Sequence, residues 1–314
     1  MMPYLTRRLL GGLVTIGLST VVIFSAVRFV PGDPLTARLA EGRLSEESAA
    51  SLRRIYGLDR PLPAQYGAWI GAVAQGDLGR SLTTQGEVMP EVARRIPRTL
   101  VLAVGGLMVA VAVGVPAGMV GARYRRRWPD YLVVSGNTVL LALPIFFTGM
   151  VLIVALAVTL RWFPVGGFVD PRADTVGWLR ALVLPSLTIG LPASAFIARV
   201  MRSSLVDALN QEFVRTAEAR GLSPARILLR HALKNAAIPT LTVVGLQLGA
   251  LLGGAIITEV LFTYPGMGSL LVDAIGRRDY PVVQAALLFF AVAFVLVNLL
   301  IDLLYTVVDP RLRR

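Results

Sequence analysis

Few residues of this 314-residue chain can do covalent chemistry. There is no cysteine, so disulfides and thiolate metal sites cannot be built, and the single histidine, His231, excludes two-histidine zinc-protease arrangements. Lys234 is the only lysine, and no Gly-x-x-x-x-Gly-Lys-Ser/Thr run occurs, so the chain has no phosphate cradle of its own for ATP. His231 follows Ile227 at helical spacing and reads as a packing or surface residue. What remains is a set of charged and amide groups set in apolar runs: Asn137, Gln247, Glu259, Asn298 and Asp302. A carboxylate at the centre of a membrane helix costs roughly 2.5–3.5 kcal/mol, so such a group must be paired, wetted or close to a helix end. Asn298 and Asp302 share one helical face, which suits a structural pairing with an arginine or a pathway site. Glu259 suits an interfacial carboxylate, an outer gate or a partner contact. No catalytic residue and no metal site is expected; Glu259, Asn298 and Asp302 are candidates for a pathway or gate.

The elements that must position these groups are membrane spans. The chain is 55% hydrophobic with a mean hydropathy of +0.68, more apolar surface than a soluble domain can hide. Its formal charge of +12 falls in short arginine clusters between apolar runs, a pattern of topology signals rather than of a nucleic-acid face. Apolar runs near residues 9–30, 99–121, 131–160, 182–200, 241–262 and 282–307 give six spans. The first is too long for a signal h-region and has no small-residue cleavage site, so it reads as an uncleaved span. Arg7, Arg8, the Arg123–Arg127 cluster and the C-terminal arginines put both termini in the cytoplasm. Arg277 and Arg278 are a local exception on the outer side.

Residues 31–98 form an extracytoplasmic insertion. Pro31-Gly32-Asp33-Pro34 stops the first helix. Ser45-Glu46-Glu47 opens a helix ending near Tyr56-Gly57, and Pro63 opens another carrying Tyr66, Trp69, Ile70 and Val73. Within the spans, Pro144 predicts a kink, and Pro185 and Pro192 predict breaks in a span that must face protein or a pathway. Ala110, Gly114 and Gly118 form one small-residue face, and Gly245, Gly249 and Gly253 another.

Residues 201–239 concentrate cations: Arg202, Arg215, Arg220, Arg226, Arg230 and Lys234. Leu205, Leu209 and Phe213 recur on one helical face. Gly221 suits a C′ position, Ser223 an N-cap and Pro224 a first helical position, predicting two helices that meet at Gly221-Leu222-Ser223-Pro224. Such a hairpin can carry force between spans and the cytoplasm; the pattern also allows an amphipathic loop resting on lipid headgroups.

The run Arg215-Thr216-Ala217-Glu218-Ala219-Arg220-Gly221-Leu222-Ser223 resembles the cytoplasmic EAA loop of bacterial ABC-importer permeases, in the form of the dipeptide, oligopeptide and nickel permease family. Arg215 and Thr216 stand where many importers have Glu and Ala, and Pro239 lies further from Gly221 than in the generic motif. Pro31-Gly32-Asp33-Pro34, Gly76-Asp77-Leu78-Gly79-Arg80-Ser81-Leu82, Arg95-Ile96-Pro97-Arg98-Thr99-Leu100, Leu261-Phe262-Thr263-Tyr264-Pro265-Gly266-Met267-Gly268, Arg278-Asp279-Tyr280-Pro281 and the ending Asp309-Pro310-Arg311-Leu312-Arg313-Arg314 resemble the same family, in order, from Pro31 to Arg314. The resemblance implies an all-α integral membrane fold: the N-terminus and span 1 over 1–30, the insertion over 31–98, and a permease core over 99–314 with a coupling hairpin at 201–239. It also implies the first permease of a pair, joined by a second homologous permease, two ATPase subunits or domains that hold ATP and Mg, and an extracytoplasmic substrate-binding protein. No cofactor is expected in this chain, and no partner other than these and the lipid bilayer; nucleic acid is not one. Ala217, Glu218, Ala219, Gly221, Leu222 and Ser223 would couple to the ATPase, while hydrolysis itself would lie outside this chain. Cargo would be a dipeptide, an oligopeptide, a nickel complex, glutathione or a haem-like molecule. The competing classes are an ATPase-independent secondary transporter or channel, and a membrane scaffold.

Overall fold

The computed structural model describes residues 2–29, 45–47, 51 and 59–308, and among them it is helical with no strand; Arg80 and Glu87 form one isolated antiparallel bridge. The helices are α1 (Met2–Phe29), α2 (Leu62–Ala74), α3 (Val88–Arg123), α4 (Trp128–Ala142), α5 (Ile145–Leu152, continued by a π-helical segment Ile153–Thr159) and α6 (Thr175–Leu209). They continue with α7 (Glu212–Ala219), α8 (Pro224–Leu261, π-helical over Ile227–Ala232), α9 (Met267–Gly276) and α10 (Tyr280–Val308). Five helices are long and apolar enough to cross a bilayer, and six spans result if the bent pair α4 and α5 counts as one. The Pro31-Gly32-Asp33-Pro34 stop, most of the helix expected to end near Tyr56-Gly57, and the C-terminal arginine run lie outside the described residues.

Two compact units divide the chain: residues 98–265 with 296–314, and residues 2–97 with 266–295. In the first, α6 is the central element. Its most apolar stretch is 72% buried, against 22% for α1, which decides that α6 is sheathed by protein. The expected breaks at Pro185 and Pro192 do not occur; both prolines lie inside one unbroken 35-residue helix. A proline in a helix interior costs about 3 kcal/mol because it lacks an N–H and crowds the preceding turn. Here the surrounding protein enforces the helix, and hydroxyls add bonds beside the interruptions: Thr188 Oγ1 donates to the Leu184 carbonyl at 2.8 Å, and Ser194 Oγ to the Leu191 carbonyl at 2.7 Å. Pro144, by contrast, caps α5 and turns it 108° from α4, much sharper than a kink.

The small-residue face of α3 extends further than expected and is matched on α6. A Cβ at Gly114 would stand 2.6 Å from the Ser194 carbonyl oxygen, and one at Gly118 would stand 2.7 Å from that of Ala198. One at Gly190 would meet the Gly106 carbonyl at 2.6 Å, so the two backbones are in direct contact along this stripe. On α8 the expected stripe is only partly used. Gly245 abuts Ile301, whereas Gly253 has nothing within 4 Å, and the neighbouring Gly254 approaches Ile145 instead. Helix α3 starts at Val88, earlier than the apolar run at 99–121, because Arg94, Arg95 and Arg98 find polar partners there.

In the second unit, α2 starts after Pro61 and places Tyr66 and Trp69 against Phe24 of α1, with ring centroids 5.5 and 6.0 Å away. Tyr66 also hydrogen-bonds Thr20 at 2.8 Å. The apolar residues of the Pro63 segment therefore form a small aromatic core on the end of the first span.

Candidate functional site

Helix α8 is bounded by two turns of the same geometry. Before it, α7 ends at Arg220, and Gly221 occupies C′ at φ +76°. The Gly221 N–H donates to the Glu218 carbonyl (2.8 Å) and the Leu222 N–H to the Ala217 carbonyl (3.2 Å), the two bonds of a Schellman motif. Ser223 and Pro224 then open α8, although the Ser223 hydroxyl makes no capping bond. The turn at Gly221-Leu222-Ser223-Pro224 is thus where the sequence places it.

The first arm differs from the expected single helix. Helix α6 runs through Met201 to Leu209 and stops at Asn210; Gln211 is extended, and α7 begins at Glu212. Leu205 therefore packs near Met201, Ala208 and Leu228, while Leu209 and Phe213 lean on Val214, Ala217 and Ile227. Ala217 is buried inside the hairpin, Leu222 is half-buried, and Glu218, Ala219, Arg220, Gly221 and Ser223 are exposed. The alanines thus split: Ala217 closes the hairpin and Ala219 faces outward. His231 is exposed on the opposite arm.

The root of this hairpin holds an ion pair that motif reading missed. Asp130, 3% exposed, accepts from Arg202 Nε at 2.5 Å and Nη2 at 2.7 Å, and from the Arg126 N–H at 2.9 Å. The signal was one acid, at the third position of a helix opened by Pro129, directly after an arginine run.

The turn that follows α8 repeats the motif with a different residue. Phe262 is the C-cap and Thr263 sits at C′ with φ +51°; its N–H donates to Val260 (3.2 Å) and that of Tyr264 to Glu259 (2.8 Å). A β-branched residue there is strained. The surroundings hold it. Glu259 is fully buried in protein and accepts from Thr99 Oγ1 at 2.6 Å. Tyr264 Oη donates to the Arg98 carbonyl and Arg98 Nη1 to the Pro265 carbonyl, each at 3.2 Å. The Arg98 guanidinium lies 4.1 Å over Phe168, which meets Tyr264 edge-on, and the Gly167 N–H donates to the Phe262 carbonyl at 2.8 Å. Burial pushes the Tyr264 phenol up to about 12; Glu259 adds to the shift and Arg98 opposes it. Asn298 and Asp302, the other gate candidates, are half-buried on α10.

In the second unit, Asp279 reaches across 198 residues of sequence: its carboxylate accepts from Ser81 Oγ (2.5 Å) and from the N–H groups of Leu82 (3.0 Å) and Thr83 (3.3 Å). Arg95 pairs with Glu91 and donates to the Gly266 carbonyl (3.2 Å) and Ser269 Oγ (3.3 Å). The sequence motifs that look like isolated turns are bonded to one another.

Residues 114–314 match the family described as "Binding-protein-dependent transport system inner membrane component", and residues 1–103 match "Binding-prot-dependent transport system membrane comp, N-term". The chain belongs to this family. It is a permease subunit of an ABC importer of the peptide class, a multi-pass protein of the bacterial inner membrane and not an enzyme. The permease is 42% identical over 318 residues to the glutathione transport system permease protein GsiC of Pectobacterium atrosepticum, spanning 100% of this chain and 99% of that one. It is 37% identical over 310 residues to the probable peptide ABC transporter permease protein y4tP of Sinorhizobium fredii, covering 99% of each. An inward-facing structure of the MetNI methionine ABC transporter shares the fold, with a TM-score of 0.57 over 70% of the permease and 97% of that chain at 18% identity.

Proposed function

We propose that this permease is one half of a translocation pathway for small peptides, driven through the hairpin α7–Gly221–α8 by a separate ATPase. The observation that carries this reading is the Gly221 turn: an internally bonded tip that leaves Glu218, Ala219, Arg220 and Ser223 exposed among the described residues. Ala217 and Leu222 stiffen the tip from within; Ala219 and Gly221 keep its surface low enough for close docking. On this reading the arginine-rich ends face the cytoplasm, both termini lie there, and residues 31–98 lie outside, as the charge distribution favours.

Two ATPase subunits or domains would bind ATP and Mg and grip the hairpins of this permease and of a second, homologous one, this chain being the first of the pair. A substrate-binding protein would deliver cargo to the outer face. ATP shifts the equilibrium only through its higher affinity for the closed ATPase pair, and the hairpins turn that closure into alternating access. Glu259, buried near the outer end of α8, and Asn298 and Asp302 on α10 are the pathway or gate candidates. The names of the relatives favour a short peptide as cargo, glutathione among them.

The experiment is purification of the tagged permease with its neighbours, followed by uptake in the Ala219→Arg variant. Co-isolation with an ATPase and a second permease, and loss of uptake at normal expression, are expected. A permease that isolates alone, or uptake that survives Ala219→Arg, contradicts the proposal. Ala217→Arg is the poorer test, because it breaks the hairpin core itself.

A further inference from the structure

The second unit contains a cavity of about 260 Å³ that none of the coupling or gate candidates lines. Among the described residues, three arginines line it, Arg28 at the end of α1, Arg60 before α2 and Arg80 in the Gly76–Leu82 loop, with one acidic residue, Asp77. Asp77 already accepts the Gly79 N–H at 2.8 Å, which fixes the loop. Arg80 gives its Nε to the Gln85 carbonyl at 3.1 Å, and Arg28 lies 5.8 Å over the Tyr280 ring, so both are oriented. Gln284 on α10 completes the lining. It is 5% exposed, and its Nε2 is buried with no hydrogen-bond partner among the described residues.

A buried donor left unpaired is costly, so an acceptor belongs beside Gln284. A water molecule would satisfy the amide but gives no reason for three guanidiniums on the same wall. Arginine forks match carboxylates and phosphates, and in a partly buried site the charge-assisted bond is about twice as strong as a neutral one. We propose that this cavity is an oxyanion site, taking the carboxylate of a short peptide or the phosphate of an anionic lipid headgroup. Its volume suits the charged end of such a molecule rather than a whole peptide. Trp69 stands in the wall and reports occupancy.

The test uses the full-length permease in lipid nanodiscs with Trp128, Trp162 and Trp178 changed to Phe, so that Trp69 is the sole tryptophan. In phosphatidylcholine discs, N-acetyl-Ala-Ala with a free carboxylate should change Trp69 emission saturably, while its amide should not. If only phosphatidylglycerol in the disc produces the change, the source is the lipid headgroup and the site stands. In either arm Arg80→Gln should weaken the response at least tenfold and Gln284→Glu should abolish it. Arg80 is exposed, so the first variant tests the site even if the second does not fold. No response to either probe, an equal response to the amide, or an unchanged response in Arg80→Gln overturns the proposal.

Discussion

The two ends of α8 solve one geometric problem with opposite chemistry. Both need a residue in the left-handed region to close a Schellman turn. At the hairpin end the residue is Gly221, unstrained and exposed, with the tip's polar surface facing outward. At the other end it is Thr263, strained, and fixed by the Glu259–Thr99, Tyr264–Arg98 and Gly167–Phe262 bonds. The difference teaches where the molecule keeps its interactions. The Thr263 turn is held by contacts from distant parts of the chain, whereas the Gly221 turn holds itself and leaves its face exposed.

The largest expected effect lies at the hairpin's root. Asp130→Ala leaves Arg202 without its buried partner and should lower stability by about 3–5 kcal/mol, read as a fall in the thermal midpoint in detergent. A silent Asp130→Ala would mean that the hairpin is not anchored at its base. Next comes Glu259→Ala, which strips the Thr99 hydroxyl of its acceptor and should cost about 1–3 kcal/mol by the same measurement.

The turn residues allow a direct exchange. Thr263→Gly removes a left-handed threonine and should stabilise by about 1–2 kcal/mol, and Gly221→Thr should destabilise by about the same amount. If Thr263→Gly instead destabilises, the strain at that turn is not real. The smallest effect is in pH. The Tyr264 phenol is raised from 10.0 to about 12, so its neutral form is favoured in the folded state. Its contribution is intact below pH 10 and is lost as pH rises through about 12. Tyrosinate absorbance should rise equally near pH 10 in the wild type and in Tyr264→Phe, with the wild type's additional phenol ionising only near pH 12; a larger rise near pH 10 in the wild type would remove this sign of burial.

The span pattern and the Gly221 turn were legible because apolar length, arginine clusters and a Gly-x-Ser-Pro sequence are local signals. The continuity of α6 through Pro185 and Pro192 was not, because local propensity argued for breaks and only the surrounding protein overrides it. The burial of Glu259 was hidden for the same reason: its partner Thr99 is distant in sequence, and a carboxylate near a span end looks interfacial until the fold covers it. The Asp130–Arg202 and Ser81–Asp279 pairs have no periodicity to announce them. Among the coupling residues, spacing could not separate Ala217, which faces Ile227, from Ala219, which faces outward; that needed the actual start of α7 at Glu212.

The chain has no cysteine, so Ala219→Cys gives it a single thiol at the exposed tip. Crosslinking from that position in native membranes, with uptake measured before and after, tests the coupling role most directly. The account predicts a crosslink to an ATPase subunit that arrests transport, and none from a thiol at Arg172 in the loop before α6. A tip thiol that reacts only with lipid-phase reagents, captures no ATPase and leaves uptake intact would contradict it.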